Sequence, residues 1–462
     1  MKVLFIIPQI SSQAKWLVGV AFLSAVLKKA GHQVDLLEIE NRKDINKINP
    51  FIESKQPQLI GLSVNSHQYI YAIEIAKEIK SKFSIPIFLG GVHATIRPSE
   101  VIQEESFDGI CIGEAEDAFL ELIRKIEKKQ DYTDVSNFWF RTDEGIVKNK
   151  ICPLLADLNQ LPFPDQLIFK YFKEAGKNEI VPRFIFSRGC PFNCTYCCNH
   201  VFRKIYAGGG QYLRFRSVDK AIMEIDLAEE RYKFRHYKID DDTFSLNKQW
   251  VFEFCEKYPK KFNMSFECNV RPGTVDERIL LALKKAGCNL IKIGVETGNE
   301  TLRKKILDRN ISNQEIIELF DLAKKIGLLT FSFNMIGIPG ETKETIRETI
   351  DLNAKIRPDF MQVTAFYPYP ETVLGQECLE QGLIAREHID NYMEDSVLEL
   401  PGLSSREIEK AVRDFKYNIY RQYDKKKAFQ EKKKNLKKFI ISTPLLYKLA
   451  KPIYRLIKGR KV

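Results

Sequence analysis

Within eight residues the chain places three cysteines, in Cys190-Pro-Phe-Asn-Cys194-Thr-Tyr-Cys197. Three thiolates at CxxxCxxC spacing hold three corners of a four-iron–four-sulfur cube and leave the fourth iron open to a substrate or cofactor. Electron-transfer clusters and structural zinc sites take four protein ligands instead. Cys198 follows directly, and its side chain is expected to point away from the same cluster. A zinc knuckle, or cysteines that merely cluster in a core, would use the same letters. The apolar run Phe184–Phe186 and the turn through Gly189 favour a ligand loop hung from a strand end.

Further chemistry-bearing groups lie downstream. Asp240, Asp241 and Asp242 are three adjacent carboxylates, which repel unless a cation or hydrogen-bond donors face them. Arg271, close after Glu267 and Asn269, can fork a carboxylate or close a rim ion pair. Glu296 sits in Gly294-Val-Glu-Thr-Gly298, a charged residue among glycines. Gly337 and Gly340 permit close backbone approach, or simply a turn.

The elements that must carry these groups follow from pattern. Strands are expected at Arg183–Phe186, His236–Ile239, Ser265–Cys268, Leu290–Gly294, Thr330–Ile336 and Phe360–Phe366, with helices such as Val218–Glu230, Asp276–Ala286 and Asn313–Ile326 between them. That repeat makes a partial (β/α)6 TIM barrel, with function at the carboxyl ends of the strands. Residues 1–135 alternate in the same way: strands at Val3–Ile7, Gln33–Leu37, Leu59–Ser63, Ile87–Leu89 and Gly109–Ile112 predict a Rossmann-like, doubly wound parallel sheet. Its strand ends read Gly90-Gly91-Val-His93-Ala-Thr95 and Gly113-Glu114-Ala-Glu116. Residues 136–180, with Pro162 and Pro164, read as a connector with a small hairpin. The expected division is 1–135, 136–180, a barrel over 181–400, and a basic, mainly helical tail over 401–462.

The stretch Arg188-Gly-Cys-Pro-Phe-Asn-Cys-Thr-Tyr-Cys197 resembles the signature of radical S-adenosylmethionine (SAM) enzymes. The resemblance implies a [4Fe-4S] cluster on Cys190, Cys194 and Cys197, with SAM chelating the open iron and cleaved to a 5′-deoxyadenosyl radical. It also implies Tyr196 and Gly337 near the adenine, and Asp241 and Asp242 at the amino group. Arg271 would meet the SAM carboxylate and Glu296 the ribose hydroxyls. The pair of glycine-rich strand ends resembles the cobalamin-binding domain that precedes the barrel in one subfamily, which implies Gly90, Gly91, His93, Gly113 and Glu114 at cobalamin. The usual D-x-H-x-x-G motif is absent, and Asn65-Ser-His67-Gln-Tyr-Ile70 lacks its Asp and Gly, so cobalamin would be held without a protein imidazole on cobalt. His93 equally fits a hydrogen-bonded loop histidine. The subfamily usually has Gly where Glu371 stands.

That likeness implies an enzyme, first a cobalamin-dependent methyltransferase acting on an unactivated carbon. A cobalamin-dependent radical cyclase or rearrangement enzyme is the alternative, and a non-catalytic cluster and cobalamin carrier the reading from another class. Transfer-RNA methylthiolation is disfavoured, because only Cys111 and Cys152 precede Cys190. A flavodoxin- or ferredoxin-type electron donor and a small-molecule or lipid-like substrate are the expected partners, with no nucleic acid. Ten cysteines without framework spacing, and a labile cluster, place the protein in a reducing cytoplasm. No run of about 18 apolar residues predicts a spanning helix. From Pro401 onward there are 19 Lys/Arg against 5 Asp/Glu, so the net charge of +11 belongs to the tail. That tail fits a helix packed on the barrel, or a segment peripheral on the inner membrane face.

Overall fold

The computed structural model describes residues 1–10, 17–173, 180–387, 389, 391 and 393–442. The first sheet is built on β1 (Lys2–Pro8), β2 (Gln33–Ile39), β3 (Leu59–Ser63), β4 (Ile87–Gly90) and β5 (Gly109–Cys111). These five strands are parallel in the order β2-β1-β3-β4-β5. After Lys2, every residue of β1 is buried, as a strand covered on both faces requires. Its side chains alternate between two cores. Val3, Phe5 and Ile7 meet the helices Val18–Lys29 and Glu116–Glu127, while Leu4 and Ile6 meet Ile48–Lys55 and Tyr69–Lys80.

The hairpin expected in the connector has a different place. Its strands, β6 (Phe138–Thr142) and β7 (Gly145–Lys148), extend this sheet, with β6 antiparallel to β5. Phe138 and Phe140 are buried among the residues of the first core, which ties the hairpin to the sheet.

The second body opens with β8 (Arg183–Phe184). The strand expected to run on to Phe186 breaks there, and β9 (Ser187–Arg188) leaves the sheet to pair antiparallel with β10 (Arg214–Phe215). The remaining strands are β11 (His236–Ile239), β12 (Ser265–Val270), β13 (Cys288–Glu296), β14 (Leu329–Ile336) and β15 (Phe360–Ala365). With β8 they form one parallel sheet in chain order, the open six-unit barrel anticipated from pattern. An aromatic cluster including Phe184, Phe186, Tyr237, Trp250, Phe254, Tyr258 and Phe266 fills its first half. Ser217 caps Val218–Tyr232 by accepting from the Lys220 amide.

The tail divides. Ser405–Tyr420 lays Ile408, Val412, Phe415 and Ile419 into a core with Ile336, Ile338 and Ala365, a helical stripe that covers the last barrel strands. A second helix, Lys425–Ser442, packs on the first. Residues 443–462, which hold Leu445, Leu449 and Ile453, lie outside the described residues. Among the described residues, no helix is long and apolar enough to cross a membrane.

Candidate active site

The cysteine loop is aimed by Gly189. Its φ is +91°, and a Cβ there would come within 2.5 Å of the Tyr212 carbonyl oxygen, so only glycine makes the turn out of β9. The loop folds back through a bond from the Cys197 amide to the Cys194 carbonyl at 3.0 Å. Cys190, Cys194 and Cys197 all line one chamber of about 290 Å³ over the barrel. Cys198 does not line it, and opens instead into a neighbouring cavity. Two guanidinium groups face Cys194, with Arg271 Nη1 at 3.6 Å and Arg309 Nη1 at 3.9 Å from Sγ. Burial pushes the Cys190 thiol up to about 11, while the adjoining Cys198 thiol, as the largest cause, brings Cys197 down to about 7. Among the described residues, no three His, Cys, Asp or Glu side chains converge on a single metal ion. A cluster makes no such demand, since each thiolate sits on a separate iron.

The chamber also gathers Tyr196, Asp242, Arg271, Glu296 and Arg309. Glu296 has φ +65°, at a bulge in the β13–β14 ladder, and its Oε1 lies 3.6 Å from Arg309 Nη1. A buried, non-glycine residue in that region of backbone space is strained, and such strain concentrates at functional sites. Arg309 also donates to the Tyr196 hydroxyl at 3.1 Å and to the Gly294 carbonyl at 2.8 Å. No sequence signal singled out Arg309, since it follows the barrel strand's motif by more than a helical turn. The Arg271 guanidinium stacks on Phe192 at 3.9 Å. Opposite charges in one half-closed space suit a zwitterion: Asp242 and Glu296 for an ammonium and hydroxyls, Arg271 and Arg309 for a carboxylate.

Two expected members of this site, Asp241 and Gly337, stand elsewhere. Asp241 turns inward, 1% exposed, and its Oδ1 accepts from the Phe186 amide at 2.7 Å and the Ser187 amide at 3.2 Å. Burial raises its carboxyl to about 7, and its work is to fix the start of the cysteine loop. Gly337 has φ +90°, but the atoms that crowd it belong to Ile408 of the covering helix, so its close approach is to protein. Glu371 does adopt φ +62°, the left-handed backbone that a glycine there would suit.

The second cavity, about 420 Å³, lies between the two sheets' strand ends. Gly91, Thr95, Gly113 and Glu114 form one side; Arg188, Cys198, Asn199, Tyr206, Tyr212 and Asp242 form the other. A narrow crevice of about 40 Å³ continues from it into the first sheet, over Gly61, Gly90 and Gly91. Gly91 has φ +93°, and a Cβ would meet the Val64 carbonyl at 2.6 Å. Gly113 has φ +79°, and a Cβ would collide with the Tyr206 hydroxyl. His93 is not part of this wall. It is 4% exposed, its Nδ1 is 3.0 Å from Ser66 Oγ, and its ring packs on Tyr69 at 4.3 Å. Burial lowers it to about 4, so it is a neutral packing residue. Glu114 borders the cavity, but its carboxylate is taken by Arg214 at 2.6 and 3.0 Å and by Arg188 at 3.2 Å. Arg188 also reaches Glu116 at 2.5 Å. Arginines leading into and out of the cysteine loop are thereby clamped to the first sheet.

Comparison with known proteins agrees with both halves. The profile of the Radical SAM superfamily matches residues 184–352, and that of the B12 binding domain matches residues 17–123. An uncharacterized methyltransferase of Pyrococcus horikoshii is 25% identical over 433 residues, covering 91% of this chain and 92% of its own. The anaerobic magnesium-protoporphyrin IX monomethyl ester cyclase of Rubrivivax gelatinosus is 25% identical over 401 residues, 82% of this chain and 70% of the cyclase. Among solved structures, the radical SAM methyltransferase TsrM from Kitasatospora setae has the same fold, with TM-score 0.67 and 17% identity over 83% of this chain and 77% of that one. The cobalamin-dependent enzyme OxsB superposes with TM-score 0.63 and 21% identity, over 82% of this chain and 55% of its own. The two matched profiles bring their cofactors with them, a [4Fe-4S] cluster and SAM for the one and cobalamin for the other. An enzyme of two cofactor-binding bodies, joined at the face where both sites open, this chain carries a B12-binding domain over residues 17–123 and a radical SAM domain over residues 184–352.

Proposed function

We propose that this enzyme methylates an unactivated carbon of a small molecule, with both cofactors acting on one shared space. The observation that carries the reading is a common wall: Asn199, Asp240 and Asp242 line the chamber and the cavity alike. When bound, the cluster and SAM supply a carbon-centred radical and cobalamin supplies the methyl group. Cys190, Cys194 and Cys197 hold the cluster. Asp242, kept in place by Asn199 Nδ2 at 3.0 Å, receives the SAM ammonium, and burial holds its own carboxyl above the usual range. Arg271 takes the SAM carboxylate, Glu296 the ribose, and Tyr196 borders the adenine. Gly91 and Gly113 border the cavity that would hold cobalamin, where their missing Cβ atoms leave room for the Val64 carbonyl and the Tyr206 hydroxyl, and Gly90 lines the adjoining crevice. The apolar side chains of Val18, Phe22, Leu154, Ile185 and Phe202 keep the cavity dry around the substrate, which suits a lipid-like molecule. A flavodoxin- or ferredoxin-type donor in the cytoplasm supplies the electron.

The methyltransferase relatives support transfer, and the cyclase relative supports a second reading in which cobalamin assists ring closure without transfer. One experiment separates them. The anaerobic, reduced enzyme is given SAM carrying a deuterated methyl group, together with an extract of small molecules. A product heavier by the labelled methyl supports transfer. A product that has lost hydrogen and gained no label identifies a cyclase.

A further inference from the structure

The two barrel-end helices differ in what they leave to solvent. Ser405–Tyr420 completes the core, whereas Lys425–Ser442 touches the protein along one narrow side. On that side Ala428 is buried and Asn435 Nδ2 donates to the Arg413 carbonyl at 2.7 Å. Rather more than a quarter-turn round the helix from these stand Phe429, 69% exposed, and Leu436, 58% exposed, more open than any other large apolar side chain among the described residues. They are seven residues apart, and Ile440 follows four later, so the three lie along one line of the helix. Lysines run parallel to that line at the same spacing, with Lys425 and Lys432 on one flank and Lys426 and Lys433 on the other. The helix holds eight lysines and one acid, Glu431. Lys425, Lys426 and Lys433 have no acidic partner among the described residues.

We propose that this outward face is a docking surface for a membrane rich in anionic phospholipids. An apolar ridge between two rows of ammonium groups matches the bilayer boundary: Phe429 and Leu436 enter among the acyl chains while the lysines meet lipid phosphates. A nucleic-acid backbone would engage the lysines and leave Leu436 in water. The sequence beyond Ser442 keeps both ingredients, with Leu445, Leu446 and Leu449 among Lys448 and Lys451. The other 400 residues, up to Leu400, carry 53 basic against 56 acidic side chains, so attraction to an anionic surface is concentrated at this end. The docking is independent of the reaction assigned to the barrel.

The test is co-sedimentation of full-length, reconstituted protein with vesicles of phosphatidylcholine alone or mixed with phosphatidylglycerol. Partitioning into the anionic vesicles is expected to be at least about ten-fold stronger, and to weaken with added salt. Phe429→Ser with Leu436→Ser should lower it about ten-fold, as should Lys426→Glu with Lys433→Glu. Both pairs are exposed, so the melting temperature of each variant stays that of the parent. Equal binding to the two vesicle types overturns the proposal, as does parental binding by both variants. Failure to bind anionic vesicles, with salt-sensitive binding to duplex RNA that ignores the Phe429 and Leu436 changes, overturns it in favour of nucleic acid.

Discussion

Asp241 and Asp242 are neighbours with opposite duties, and the difference is one of direction. Successive side chains beyond a strand end point to opposite sides, so one carboxylate enters the chamber while the other braces the cysteine loop. The sequence reading placed both acids at the SAM amino group, and only Asp242 lines the chamber. The same holds for Arg309, whose value comes from reaching Tyr196, Gly294 and Glu296 at once. Replacing Asp242 by Asn is expected to weaken SAM binding about ten-fold by calorimetry and leave the melting temperature in place. Asp241→Ala should do the reverse, costing about 1–3 kcal/mol of stability through the unpaired Phe186 and Ser187 amides, with iron loading reduced as the loop loosens. His93 gives a pH signature. Its folded value near 4 lies below the ordinary 6.5, so the unfolded chain binds the proton first and stability falls as pH drops below 6.5. Between pH 7 and pH 5 the parent should lose about 2 kcal/mol more than His93→Gln in chemical unfolding.

At the scale of elements, periodicity carried the fold because apolar parallel strands alternate with amphipathic helices in both bodies. It fell short where tertiary pairing decides. The hairpin β6–β7 reads the same whether it floats in a connector or closes a sheet edge, and only its contact with β5 distinguishes the two. The break between β8 and β9 likewise follows from the partner strand β10, which lies 26 residues further along the chain. His93 was a reasonable candidate from its glycine-rich surroundings, yet its helix turns the ring toward Ser66 and Tyr69 and away from the cavity. The clamp of Arg188 and Arg214 onto Glu114 and Glu116 joins the two bodies through the cysteine loop itself. Arg214→Ala leaves Glu114 partly unpaired in a half-buried position, which should cost about 2 kcal/mol and speed proteolytic cutting between residues 149 and 182. Glu114→Gln should have a smaller effect, because the amide oxygen still accepts from Arg188 and from one Arg214 nitrogen, while only the bond to the other Arg214 nitrogen is lost.

For the whole molecule, the decisive feature is that two independently recognisable cofactor bodies open onto one interior through the residues around Asp242. Neither body by itself specifies the reaction. In the proposed reaction their shared wall would bring radical generation and cobalamin to the same substrate, and the apolar lining would set what can enter. The cysteines sort by the space they face. Cys190→Ala, Cys194→Ala and Cys197→Ala are each expected to lose most bound iron on reconstitution, whereas Cys198→Ala keeps it, as a count of iron and sulfide will tell. The most direct test of the central claim is the electron-spin resonance spectrum of the reduced, reconstituted protein with and without SAM. A cube with one iron open to the chamber predicts a clear change in the spectrum when SAM is added, abolished in Cys194→Ala together with the cluster. Superposable spectra in the presence and absence of SAM would contradict it.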